Sequence, residues 1–199
     1  MAYLGYESGS TSSLGSTGLN YYGGNGSILR GNNIHDLYFG FYSRGVDHII
    51  IENNIIRNND YYGLDPHTGT HDMIIRNNTV YGNNGIGIIC SLDCDNILIE
   101  NNKVHDNADS GIMFSRNMTN SIARNNIVYN QDSGIFVSQS NNNQIYNNMV
   151  SNSTNGINIG FDSSDNKIYN NTIIKSSSHG IAVSSRDAAT NTIYSNIIK

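Results

Sequence analysis

Within six residues, Tyr62-Gly-Leu-Asp-Pro-His67 carries a phenol, a carboxyl and an imidazole, and Arg44 stands upstream of them. These groups suit proton transfer. An imidazole takes up a proton near neutral pH, and a phenol with a reference pKa of ~10 begins protonated and can give one back. A guanidinium neutralises an anion where negative charge develops. Residues this far apart act together only if the chain returns them to one surface, so the scaffold decides the question.

The scaffold is legible as a repeat. A glycine followed by alternating apolar residues recurs at Gly18, Gly40, Gly63, Gly87, Gly111, Gly134, Gly156 and Gly180. A second pattern, apolar-x-x-Asn-x-apolar, follows each glycine and is centred on Asn32, Asn54, Asn78, Asn102, Asn126, Asn148, Asn171 and Asn196. Short alternating runs such as Gly111-Ile-Met-Phe-Ser read as strands, and the Asn, Asp, Ser and Gly between them read as turns. No stretch has a 3.6-residue period, and Asn and β-branched residues are poor helix formers. The expected fold is all-β: one single-stranded, right-handed parallel β-helix domain over residues 1–199. It has about eight rungs of 22–25 residues, each with three short strands. Asparagines at one corner of every rung would hydrogen-bond their neighbours above and below and accept the left-handed bend there.

Alternation places residues two and four after each glycine on the outer face. Reading along that face gives Tyr42 and Arg44, Asp65 and His67, Ile89 and Ser91, Met113 and Ser115, then Phe136 and Ser138. Asp65 should lie beside Tyr42 and His67 beside Arg44, each about one strand spacing (~4.8 Å) away. Tyr62 stands at the edge of the same strand, and Arg116 ends the fifth. The expected catalytic group is therefore His67, Tyr62, Asp65 and Arg44. Tyr42, Ser91, Met113, Ser115, Arg116 and Phe136 are the expected substrate-binding surface.

Composition excludes several classes. The 199 residues carry a net charge of -5, which argues against nucleic acid or an anionic membrane as partner. No apolar run reaches the ~18 residues of a membrane span, and no apolar h-region follows Met1. Two cysteines cannot staple a chain of this size. Alternation points Cys90 inward and leaves Cys94 on the following turn, and neither has the further ligands of a zinc site. His71-Asp72 and His105-Asp106 read as solvated corners, while the turn with Asp93 and Asp95 offers two carboxylates to a structural Ca²⁺. There are 34 asparagines but one proline, as a stacked ladder requires, since proline has no N–H to give its neighbour. That proline, Pro66, lies inside a strand between Asp65 and His67, where its fixed φ would stiffen both. The last rung, Ile193-Tyr-Ser-Asn-Ile-Ile-Lys199, has no polar cap, which favours end-to-end stacking of copies into a homo-oligomer.

Tyr62-Gly-Leu-Asp-Pro-His67 resembles the Tyr-Gly-x-Asp-Pro-His signature of the mannuronan C5-epimerases, which modify alginate. Phe39-Gly-Phe-Tyr-Ser43, Gly87-Ile-Ile and Ser110-Gly-Ile-Met-Phe-Ser-Arg-Asn117 extend the similarity to the periplasmic branch over roughly residues 2 to 160. Thr68 stands where periplasmic members carry an acidic residue. Ser91 and Asp109-Ser110 stand where calcium-dependent members carry an Asp and an Arg-His pair. The resemblance implies a polyanionic polysaccharide (alginate or polymannuronate) lying along this face. Mannuronate would be inverted to guluronate at C5 without a required cofactor, in the periplasm or outside the cell. His67 would be the base, Tyr62 the opposite-face donor, Asp65 the partner of the carboxylate or of the His, and Arg44 the neutralising cation. A polyuronate lyase on the same site, or a non-catalytic carbohydrate-binding or structural β-helix, remain the alternatives.

Overall fold

A computed structural model describes residues 3–4, 17–184 and 190–199, so the first part of the stretch resembling the epimerases, 5–16, lies outside the described residues. The described residues form a β-solenoid of three parallel sheets, one of nine strands and two of eight, about eight turns in all. Every strand pairs with its counterpart one repeat away. One sheet carries the outer face predicted to hold the chemistry. It runs from Thr17–Tyr22 through Phe39–Arg44, Leu64–His67, Ile88–Ser91 and Ile112–Ser115 to Ser133–Ser138, Asn155–Ile159 and His179–Val183. Stacked inward residues such as Phe41, Leu64, Ile88, Ile112, Ile135 and Ile157 form the core and are fully buried. Pro66 lies inside Leu64–His67 and faces inward beside buried Ser43. Pairing with the next strand holds at Leu64–Ile88 and His67–Ser91 and lapses between, where proline has no N–H to give.

The glycine row exists for space. None of Gly40, Gly63, Gly87 or Gly111 has a positive φ. A Cβ on Gly87 would instead sit 2.7 Å from Cγ1 of Val104 and 2.8 Å from the carbonyl oxygen of Gly111. The site sheet thus packs its backbone against the inward side chains of the nine-stranded sheet, and only a hydrogen fits between.

Two asparagines, rather than one, divide the corner's work. The first of each doublet, as in Asn53, Asn77, Asn101 and Asn125, takes the left-handed backbone at φ of 54–56° and is exposed. The second forms the ladder predicted from sequence, unbroken from Asn32 to Asn196. Asn102 accepts from the backbone and side-chain nitrogens of Asn78 (3.0 and 3.1 Å) and donates Nδ2–H to the carbonyl of Ile75 (2.9 Å). Removing that side chain breaks these three buried hydrogen bonds and a fourth, from Nδ2 to Oδ1 of Asn126 (3.1 Å). Asn102→Ala is therefore expected to cost about 3 kcal/mol in urea unfolding, against about 1 kcal/mol for Asn101→Ala, which loses only left-handed tolerance.

On the third sheet charge alternates from rung to rung. Glu52 is held between Arg30 (2.6 Å) and Arg76 (2.7 Å), and Glu100 bonds Arg124 (2.9 Å). Hydrogen bonds from Arg76 and Arg30 hold the Glu52 carboxyl below the usual range. Beyond Arg124 the row continues as stacked Tyr146, Tyr169 and Tyr194.

Of the turn assignments, Cys94 stays on the turn after Ile88–Ser91, whereas His105 moves into a strand. Cys94 is fully buried, its thiol directed to the carbonyl of Ser91 (3.3 Å), because the corner after the site strand turns the next side chain back into the core. His105 lies in Lys103–His105, stacked between Tyr81 (5.0 Å) and Tyr129 (4.7 Å). The register of three equivalent strands forces these flat rings together, so the imidazole is largely covered.

Candidate active-site cleft

The outer face of the site sheet brings the expected residues together in the predicted register. Tyr42 is beside Asp65, Arg44 beside His67, and His67 beside Ser91. Tyr62, Asp65, His67, Tyr42 and Arg116 line one cleft of about 320 Å³, the scale of a site for one or two sugar rings.

His67 is held from both ring nitrogens. Arg116 has only hydrogens to donate, so its Nη2, 3.3 Å from Nε2, makes Nε2 the acceptor. Nδ1 then carries the ring hydrogen and donates it to Oγ1 of Thr68 at 2.5 Å. Thr68 itself sits at φ 33°, and its hydroxyl fixes the orientation of the ring. Burial, then the charges of Arg116 and Arg44, push the His67 pKa down, so the neutral imidazole is favoured with its Nε2 lone pair toward the cleft.

Arg116 reaches this position because its backbone is left-handed (φ 51°) at the corner after Ile112–Ser115. The side chain crosses back over buried Ser91, donating to its Oγ from Nε at 3.0 Å and from Nη2 at 2.5 Å. Asp65 is 2% exposed, and its Oδ1 has no hydrogen-bond partner among the described residues. Burial raises its carboxyl well above the carboxylate range, and Arg116 only partly opposes this. Burial also raises the Tyr62 phenol, followed by the adjacent Tyr61 hydroxyl, so the phenol is held protonated.

The remaining expected residues are placed less centrally. Arg44 is exposed and does not line the cleft, although it lies near enough to depress His67. Ser91 is covered by Arg116, so it presents no hydroxyl to the groove. Met113, Ser115 and Phe136 continue the face along later rungs and do not line the cleft; the Phe136 ring packs over Gly160.

Sequence reasoning missed an aromatic platform beside the cleft. Tyr61 stacks on Tyr62 (4.0 Å) and on Tyr38 (5.5 Å), and Phe39 lies against Tyr62 (5.7 Å) and Tyr42 (5.7 Å). The signal was present. The doublets Tyr38-Phe39 and Tyr61-Tyr62 occupy the same two places before successive repeat glycines.

Fold and cleft together define the class: a parallel β-solenoid with an ionisable, aromatic-walled cleft on one of its sheets. The chain belongs to the NosD family, described as periplasmic copper-binding protein, which residues 7–160 match. Among solved structures it is similar to the periplasmic alginate epimerase AlgG, with 26% identity and a TM-score of 0.73 over 85% of this chain and 50% of that one. It is also similar to the A-module of the mannuronan C-5 epimerase AlgE4 of Azotobacter vinelandii, with 23% identity and a TM-score of 0.78 over 86% of this chain and 53% of that one. An alginate lyase from Paenibacillus sp. shares the fold, with 14% identity and a TM-score of 0.63 over 88% of this chain and 76% of that one. The chain spans about half the length of the epimerase structures. No curated protein matches the sequence.

The family description raises copper, for which thiolate, thioether and imidazole are the preferred donors. Among the described residues no three His, Cys, Asp or Glu side chains converge. Cys90 and Cys94 are both buried, and burial pushes the Cys94 thiol up to about 12. The ring nitrogens of His67 are engaged by Arg116 and Thr68. These residues do not fit a copper centre. Nor does the acidic turn form a calcium cage: one oxygen of Asp93 accepts from Asn117, and one of Asp95 from Thr119 and Asn120. No helix among the described residues is long and apolar enough to cross a membrane.

Proposed function

We propose that the chain epimerises uronate residues at C5 within a polysaccharide such as alginate, acting in the periplasm or outside the cell. The observation carrying this reading is the convergence of an imidazole, a guanidinium, a buried carboxyl and a phenol in one cleft, where burial lowers the imidazole pKa and raises those of the carboxyl and the phenol. The similarity to the alginate epimerase AlgG supports the substrate class.

Each group has a defined task in this reaction. The substrate carboxylate draws Arg116 from Nε2 of His67, which both frees the base and neutralises the uronate. Asp65, uncharged, donates a hydrogen bond to the same carboxylate as negative charge builds on it. His67 Nε2 removes the C5 proton, and the bonding electrons pass into the carboxylate to form an enolate. Tyr62 delivers its O–H proton to the opposite face of C5. Proton exchange with water then restores neutral His67 and protonated Tyr62, so nothing is consumed. Arg116 takes the role that the sequence assigned to Arg44, because its guanidinium lines the cleft.

Incubation of polymannuronate in D₂O tests the reading. The expected result is deuterium at C5 of guluronate residues without unsaturated ends. Unsaturated ends would instead mark β-elimination, with the C4 oxygen leaving the same enolate. Absence of both products would leave a non-catalytic carbohydrate-binding role.

A further inference from the structure

The charges along the groove indicate how densely charged its polymer is. The two outward rows of the site sheet run from Asn20 to Ala182 and from Tyr22 through Arg44 and His67 to Ser138. Among the described residues these rows supply one guanidinium, Arg44, and the corners add a second, Arg116. Both lie close to His67. Later rungs carry Ser115, Ser138 and Asn158 in these rows, none of them charged. The corners flanking the sheet are acidic: Asp60, Asp109 and Asp132 precede its strands, Asp93 and Asp162 follow them, and all five are exposed.

A polyuronate laid along this groove would present a carboxylate at every sugar, while, among the described residues, the guanidiniums stand at the centre, Lys175 stands alone at the last corner, and carboxylates line the rim between. Each carboxylate outside the central position would face unscreened repulsion within the Debye length of ~8–10 Å. The platform of Tyr61, Tyr38 and Phe39 is instead suited to the apolar face of an uncharged pyranose. Tyr61 is 40% exposed, which leaves ring surface available to such a partner.

We infer that the preferred substrate is a heteropolysaccharide in which isolated uronates are flanked by neutral sugars, with one carboxylate read by Arg116 and a neutral neighbour stacked on the Tyr61 platform. This rests on the proton-transfer reading above and narrows its substrate.

A series of polymannuronates whose carboxyls are progressively reduced to the neutral mannose alcohol tests it while keeping backbone stereochemistry fixed. Binding would be followed by calorimetry at low and moderate salt, and C5 deuterium uptake would be counted per remaining uronate. Reducing most of the carboxyls is expected to tighten binding about 10-fold at low salt and to raise uptake per uronate. Added salt should strengthen binding of the unreduced polymer by screening repulsion. Equal or weaker binding of the reduced polymers, with uptake best on polymannuronate, overturns the substrate inference and leaves epimerisation standing. Lack of deuterium uptake across the whole series overturns both.

Discussion

His67→Gln is expected to lower C5 deuterium uptake by at least ~100-fold, the lower end of what a positioned general base supplies. The amide preserves size and can still meet Thr68 and Arg116, so folding and polymer binding should persist while proton abstraction is lost. A second signature separates a base from a residue that merely contacts the sugar. Because burial, Arg116 and Arg44 all lower the His67 pKa, the neutral form persists below the ordinary value of ~6.5. The acid limb of kcat/KM, which reports the free enzyme, should therefore fall below that value. Arg116→Ala should move the limb back toward it while also lowering kcat/KM, since the uronate loses its cation. A wild-type rate for His67→Gln, or an acid limb unmoved by Arg116→Ala, would count against the assignment.

Gly87→Ala is expected to cost about 3 kcal/mol, the upper end for overpacking a core, and to lower Tm by roughly 10 °C. The added methyl would meet Val104, the Asn107 side chain at 2.8 Å and the backbone of the next rung together. It cannot move away from one without approaching another. Gly69→Ala is the control. Gly69 has a positive φ of 68° and open space around its missing side chain, so alanine there costs only about 1 kcal/mol of left-handed strain. Thermal melts of the two variants should differ clearly; equal melts would mean that the sheets can separate at the glycine row.

Much of this architecture was legible because a repeat compares each position with its siblings. The glycine and asparagine periods fixed rung length, and strand alternation placed Asp65 beside Tyr42 and His67 beside Arg44. What escaped was decided at corners. Arg116 follows the last residue of its strand, so alternation could not say that a left-handed backbone would swing its guanidinium across Ser91 to His67. Cys94 was placed on its turn, but the burial of its thiol was not legible there, since the side chain beyond the same corner returns to the core. The aromatic platform arises between rungs: rings preceding the repeat glycines at equivalent places stack in the folded chain, although neither strand alone specifies that contact. The doubled asparagine shows the limit of composition, which revealed the abundance but not the division of labour between Asn101 and Asn102.

The alternating row Arg30, Glu52, Arg76, Glu100, Arg124 bears on how the chain avoids assembling out of order. A solenoid of near-identical turns can in principle loop out one turn and close the gap, because neighbouring turns present almost the same surfaces. Neither the aliphatic core nor the asparagine ladder would register the error: Asn54 can bond Asn102 as well as it bonds Asn78. The charged row would. Omitting one turn brings Arg30 against Arg76, or Glu52 against Glu100, and like charges placed directly opposite in a sheet repel. The first five turns thus carry a parity mark, a means of counting that the hydrophobic stack does not provide.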